Sequence, residues 1–97
     1  MKSEQTIQSE ILKYLKSVGA YTIKVSAATK SGIPDIICCY KGRFVAIEVK
    51  RPETKNNTSP LQVANMRMIV DAQGRAIVAW DKEMVKTFIN NIDKEIT

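Results

Sequence analysis

Apolar residues recur at helical spacing near the start of the chain: Ile7, Ile11, Tyr14, Leu15 and Val18, with Ser3 placed to cap the element and Gly19 to close it. The run Ala20 to Val25 (AYTIKV) reads as a strand, and the small, polar segment Ala27 to Gly32 as a loop. Ile36 to Tyr40 predicts a second strand and Phe44 to Lys50 a third, joined by a tight Lys41-Gly42 turn into an antiparallel hairpin. Arg51 to Ser59 is a loop by composition. Ser59, Pro60 and Gln62 then fit the N-cap, first and third positions of a capped helix. Leu61, Ala64, Met68, Ile69 and Ala72 give that helix its predicted apolar stripe, and Gly74 ends it. Ala76 to Trp80 reads as a short buried strand. Asp81 caps a last helix that carries Val85, Phe88, Ile89 and Ile92 on one face, so Trp80 and Phe88 are expected in the core. The order α-β-β-β-α-β-α, without repeat or linker, predicts one α/β domain over residues 1–97, with a mixed sheet flanked by helices.

Length and composition set the chemistry this domain can use. Ninety-seven residues are enough for one core and too few for two. No apolar run approaches the ~20 residues of a membrane span and no signal-peptide pattern opens the chain, which points to a soluble, cytoplasmic protein with no membrane partner. Adjacent Cys38 and Cys39 read as two buried small hydrophobes rather than a disulfide or metal site. The net charge of +5 favours a polyanionic partner without proving one. The chain has no histidine, so zinc hydrolases, histidine-base nucleases and Ser-His or Cys-His triads all lose their central residue. Hydrolysis here would have to run on carboxylates, lysine and an oxygen-ligated metal.

The third strand carries the most unusual pattern. Val45, Ile47 and Val49 alternate onto the core face, leaving Glu48 and Lys50 together on the other. Alone, that pair could be an ordinary solvated sheet face. Asp35 opens the strand that the hairpin pairs with this one, so the turn geometry brings Asp35 beside Glu48 and Lys50. Two converging carboxylates repel each other unless a proton or cation intervenes, and Mg²⁺ held by one or two carboxylates and waters is a common resolution.

Taken together, Gly32-Ile33-Pro34-Asp35, Glu48-Val49-Lys50 and Ser59-Pro60-Leu61-Gln62, in that order and spacing, resemble the virus-type replication–repair nuclease (VRR-NUC) domain of the PD-(D/E)XK nuclease superfamily, in its self-standing, phage-like form. The resemblance spans essentially the whole chain and implies a restriction-endonuclease-like αβββαβ core followed by a C-terminal helix. It implies that Asp35, Glu48 and the Val49 carbonyl hold Mg²⁺ or Mn²⁺, that Lys50 orients the attacking water, and that the products end in 5′-phosphate and 3′-hydroxyl groups. Gln62 would then be directed to the Lys50 water or the phosphate, in addition to its capping role. By likeness to junction resolvases with a first-helix acid, Glu10 is a candidate further ligand, against a solvated glutamate supported by Lys13; Glu4 is the weaker competitor.

Lys24, Lys30, Arg43, Arg51 and Lys55, with Ser31, fall on loops and strand ends and are candidate phosphate contacts, each set against the alternative of an ordinary surface residue or turn former. The resulting expectation is a metal-dependent DNA endonuclease, selective for branched DNA such as a Holliday junction and working as a homodimer. The competing reading is a basic DNA-binding module without catalysis, which leaves unexplained why acids stand at the centre of a phosphate-binding surface. A tyrosine nucleophile (Tyr14, Tyr21 or Tyr40) lacks the supporting arginine and histidine constellation.

Overall fold

The computed structural model describes residues 1–96. Helix α1 (Glu4–Ser17) starts at Ser3, whose hydroxyl accepts from the Thr6 amide at 3.1 Å. Strands β1 (Tyr21–Lys24), β2 (Ile36–Tyr40) and β3 (Arg43–Val49) follow, then a single 3-10 turn over Pro52–Thr54 and helix α2 (Pro60–Asp71). Strand β4 (Arg75–Ala79) and helix α3 (Lys82–Ile96) complete the domain. The sheet runs β1-β2-β3-β4. β1, β2 and β3 pair antiparallel, whereas β3 and β4 are parallel because α2 carries the chain back across the sheet. The mixed α/β architecture flanked by helices is thus the one expected.

One face of the sheet holds the core. Ile36 and Cys38 from β2 and Val45, Ile47 and Val49 from β3 meet Ile7, Ile11 and Leu15 of α1 and Val85, Ile89 and Ile92 of α3, all buried. α1 and α3 pack against this face and against each other. Each inward strand residue is one of an alternating set, so the period of two that marked β3 in the sequence also seats it.

The other face is covered unevenly. α2 lies over the β3–β4 side and leaves β1 bare, so Tyr21 is 72% exposed. The apolar stripe expected on α2 is not a core stripe: Leu61 and Met68 are about half exposed and Ala64 and Ala72 lie at the surface. The buried position is Asn65, set between Leu61 and Ile69 at the four-residue spacing of that same stripe. β4 is an edge strand, half-buried except for Ala79. Cys38 is buried but Cys39 is exposed, because neighbours on a strand face opposite ways and the outer face at the Cys39 end of β2 lies open. Trp80 is also outside the core; it is half-buried at the end of β4. Phe88 packs against the core from its margin. Among the described residues, no helix is long and apolar enough to cross a membrane.

Candidate active site

The hairpin brings the two acids together. Ile36 pairs with Ile47 in the β2–β3 register, which sets Asp35 opposite Glu48 on the face away from the core. Asp35 Oδ2 accepts from the Val49 backbone N–H at 2.8 Å, at the point where β2 has no further residue to pair with it. The N–H and C=O of one strand residue point to the same side, so the Val49 carbonyl is directed toward Asp35 as well.

A close approach of backbone to helix fixes the loop that delivers Asp35. Gly32 has φ +79°, and a Cβ there would lie 2.8 Å from Leu61 Cγ and 2.9 Å from Asn65 Nδ2. The Asn65 side chain donates to the Ser31 carbonyl at 3.2 Å and to the Leu61 carbonyl at 2.9 Å, tying the loop to α2. Asn65 was not singled out from the sequence. Its signal was there: one amide inside an otherwise apolar helical stripe.

Glu48 is 3% exposed, with α2 closing over it. Gln62 Nε2 donates to Glu48 Oε2 at 2.8 Å, and Lys50 Nζ stands 3.5 Å from the same oxygen. The other end of the Gln62 amide accepts from the Ser59 N–H at 3.0 Å, while Ser59 Oγ accepts from the Gln62 N–H at 3.2 Å. The capping box and the contact with Glu48 therefore coexist in one side chain. The amide orientation follows from its neighbours, because the reverse would set oxygen against carboxylate and two donors together. Glu48 Oε1 is buried without any partner among the described residues. Burial first, and then the negative charge of Asp35, push the Glu48 carboxyl up to about 7, with Lys50 pulling the other way.

A buried carboxylate with an orphan oxygen, a second carboxylate beside it and a strand-end carbonyl on the same side make an oxygen donor set of the kind Mg²⁺ or Mn²⁺ accepts, with water filling the remaining positions. Among the described residues, no group of three or more acids, cysteines or histidines converges to hold a metal, so the protein would supply two carboxylates and a carbonyl.

Glu10 therefore does not join Asp35 and Glu48 as a third carboxylate. It sits on the flank of α1, where Lys2 Nζ reaches both of its oxygens at 2.9 Å. Glu4 instead stands one turn before buried Gln8, whose Oε1 also lacks a partner among the described residues. The short link from α1 to β1 makes the two antiparallel, so the N-terminus of α1 lies at the sheet end where β1 reaches Ile36 and Asp35.

The expected phosphate contacts divide. Lys24 ends β1 opposite Ile36; Lys30 and Ser31 lie in the loop before Asp35; Arg51 directly follows Lys50, 3.8 Å from Glu53; and Lys55 sits with its Nζ 5.2 Å from the centre of the Trp80 ring. These belong to the carboxylate end of the sheet. Arg43 does not. It flanks the Lys41-Gly42 turn and pairs with Tyr40, five residues from Glu48, or roughly 17 Å along an extended strand. Being a strand end did not place it near the acids, because the two ends of a hairpin arm are on opposite sides of the molecule.

No protein-family model and no curated protein sequence matches this chain. The fold does find likeness among solved structures. A chain described as "VRR_NUC domain" matches with a TM-score of 0.76 at 22% identity, over 90% of this chain and 94% of that one. At that identity the likeness establishes a shared fold, and the roles of individual residues rest on their geometry here.

Proposed function

We propose that this chain is a metal-dependent nuclease that hydrolyses DNA phosphodiester bonds, with Asp35, Glu48, Lys50 and Gln62 as its working groups. The observation that carries this reading is the buried Glu48 carboxylate, held beside Asp35 with one oxygen unpartnered. Such a pair costs stability in an empty protein, and a divalent cation relieves that cost. Asp35, Glu48 and the Val49 carbonyl would hold Mg²⁺ or Mn²⁺. When bound, the ion supplies Lewis-acid polarisation of the phosphate and a more acidic water.

The remaining work falls to the chain's own side chains. Gln62 and Lys50 hold Glu48 Oε2, leaving Oε1 free. Lys50 orients the attacking water and offsets negative charge as the new P–O bond forms and the bond to the 3′ oxygen breaks. Lys24, Lys30, Ser31, Arg51 and Lys55 position the phosphate backbone without reading sequence. Of the first-helix acids, Glu10 is held by Lys2, and Glu4 is the alternative.

The reading extends to branched DNA and a homodimer. One small site cuts one strand per engagement, so resolving a four-way junction needs two sites related by a twofold axis. The exposed flank of α2 beside the β4 edge supports a second copy as partner. Val63 and Val70 are about half exposed there, and Arg67 and Asp71, four residues apart, have no ionic partner among the described residues. Twofold pairing would set each Arg67 against the Asp71 of the partner subunit.

The test is incubation of a labelled four-way junction and a matched linear duplex with Mg²⁺, Mn²⁺ or EDTA, with sedimentation of the protein alongside. Metal-dependent cutting of the junction at two opposed strands by a dimer is expected. Full cutting in EDTA would overturn the metal-nuclease reading. A monomer that cuts both substrates equally would reduce it to a general nicking enzyme, and binding without cutting would favour the non-catalytic module.

A further inference from the structure

β3 and β4 run parallel and end together: Val49 pairs with Ala79, and the Lys50 N–H donates to the Ala79 carbonyl at 3.0 Å. The next residue is Trp80, so the one tryptophan of the chain stands next to the backbone of Lys50. Its position is fixed from below. The Trp80 N–H lies 3.5 Å from Met84 Sδ, and Asp81 Oδ1 accepts from the Met84 amide at 2.8 Å, anchoring the segment to the start of α3. Lys55, from the loop that links Lys50 to α2, lies over the ring.

Trp80 also lines a cavity of about 190 Å³ with Met1, Ile7 and Pro52 as apolar walls and Lys2, Glu10, Glu53 and Asp81 as charged ones. That is too small for a drug-sized ligand and suited to one planar heterocycle. With three acids against Lys2, the side chains of the slot are net negative and oppose a phosphate. The same acids keep acceptor lone pairs after pairing with Lys2, Arg51 and the Met84 amide, and an exocyclic amino group of a base can donate to them. The cations therefore suit the backbone, and the tryptophan with its acidic rim suits a base.

We propose that Trp80 is the stacking platform for one unpaired base next to the scissile phosphate, received in this slot. The proposal rests on the nuclease reading and adds to it the substrate feature being recognised. A base within a duplex is already stacked on its neighbours and cannot enter, so the slot selects DNA with a nucleotide out of the stack beside the cut, as at a branch, a flap or a single strand.

Trp80 is the sole tryptophan, so its emission reports occupancy of the slot directly. The protein is titrated in EDTA with a flapped oligonucleotide and with a duplex of the same sequence closed at both ends by non-nucleotide linkers, which carry no unpaired base. Each carries a remote dye whose anisotropy gives the bound fraction. Trp80 emission is expected to fall by about half when the flapped DNA is fully bound and to change little when the closed duplex is. Trp80→Ala should weaken flap binding about tenfold and leave duplex binding unchanged, and Trp80→Phe, which keeps a stacking ring, should recover most of the loss. Unchanged emission at full flap occupancy overturns the proposal even if the alanine variant fails to fold, as does equal weakening of both substrates. Cleavage of the flap by the unaltered protein in Mn²⁺ is scored separately. Cutting without quenching removes the slot alone, and quenching without cutting removes the nuclease reading alone.

Discussion

Gln62 holds Glu48: its Nε2 lies 2.8 Å from Glu48 Oε2, while its carbonyl oxygen closes the capping box on Ser59. One amide thus joins the start of α2 to the centre of the candidate site. A substitution that keeps the cap need not keep the contact. Gln62→Glu preserves the acceptor for the Ser59 N–H but sets a third carboxylate against Glu48 in a buried position. Metal-free protein carrying it should melt several degrees lower than wild type, with cleavage strongly reduced. Unfolding scans with and without Mg²⁺ check this, and an unchanged melting temperature would count against the contact.

Asp35→Asn, Glu48→Gln and Lys50→Ala should each reduce cleavage by at least a hundredfold. The first is the most diagnostic, because an asparagine oxygen can still accept from the Val49 N–H and keep the strand end in place. Binding to DNA in EDTA, read by anisotropy, should survive all three. Retained cutting by the Asp35 variant would remove that residue from the chemistry.

Glu48 makes stability depend on pH. Its folded value is raised from about 4.5 to about 7. The stability it contributes is therefore fully present below pH 4.5 and lost as pH rises through 7, because the unfolded chain ionises more readily than the folded one. Glu48→Gln removes that dependence, so the variant should be more stable than metal-free wild type at pH 8 by about 1–3 kcal/mol and close to it at pH 4.5. Saturating Mg²⁺ should narrow the gap at pH 8 by binding the ionised wild type. Urea titrations at both pH values measure the effect, and a constant difference between them would contradict the raised value.

Gly32→Ala should cost about 2 kcal/mol, combining a positive φ with the approach to Leu61 and Asn65. Gly42→Ala is the control: its φ of +82° is equally unfavourable, but the space around it is open, so it should lose clearly less. Denaturant midpoints compare the two, and equal losses would mean that the backbone angle alone matters.

Much of this molecule can be read from local pattern. The strand alternation in β3, the tight Lys41-Gly42 turn and the Ser59 capping box are set by neighbours within a few residues, and each formed within a residue of its expected place. The meeting of Asp35 with Glu48 was legible for the same reason, since a two-residue turn determines which residues face each other. What the sequence could not supply was how far α2 covers the outer face of the sheet. That coverage is a matter of distant packing. It buries Glu48, strands one of its oxygens and raises its proton affinity, and it leaves Leu61 and Met68 at the surface where periodicity alone would have placed them inside. The same limit moved Trp80 out of the core, Glu10 onto Lys2 and Arg43 to the far end of the sheet. Period and capping are properties of a segment, whereas burial and proximity belong to the whole fold, because they depend on which elements tertiary packing places alongside.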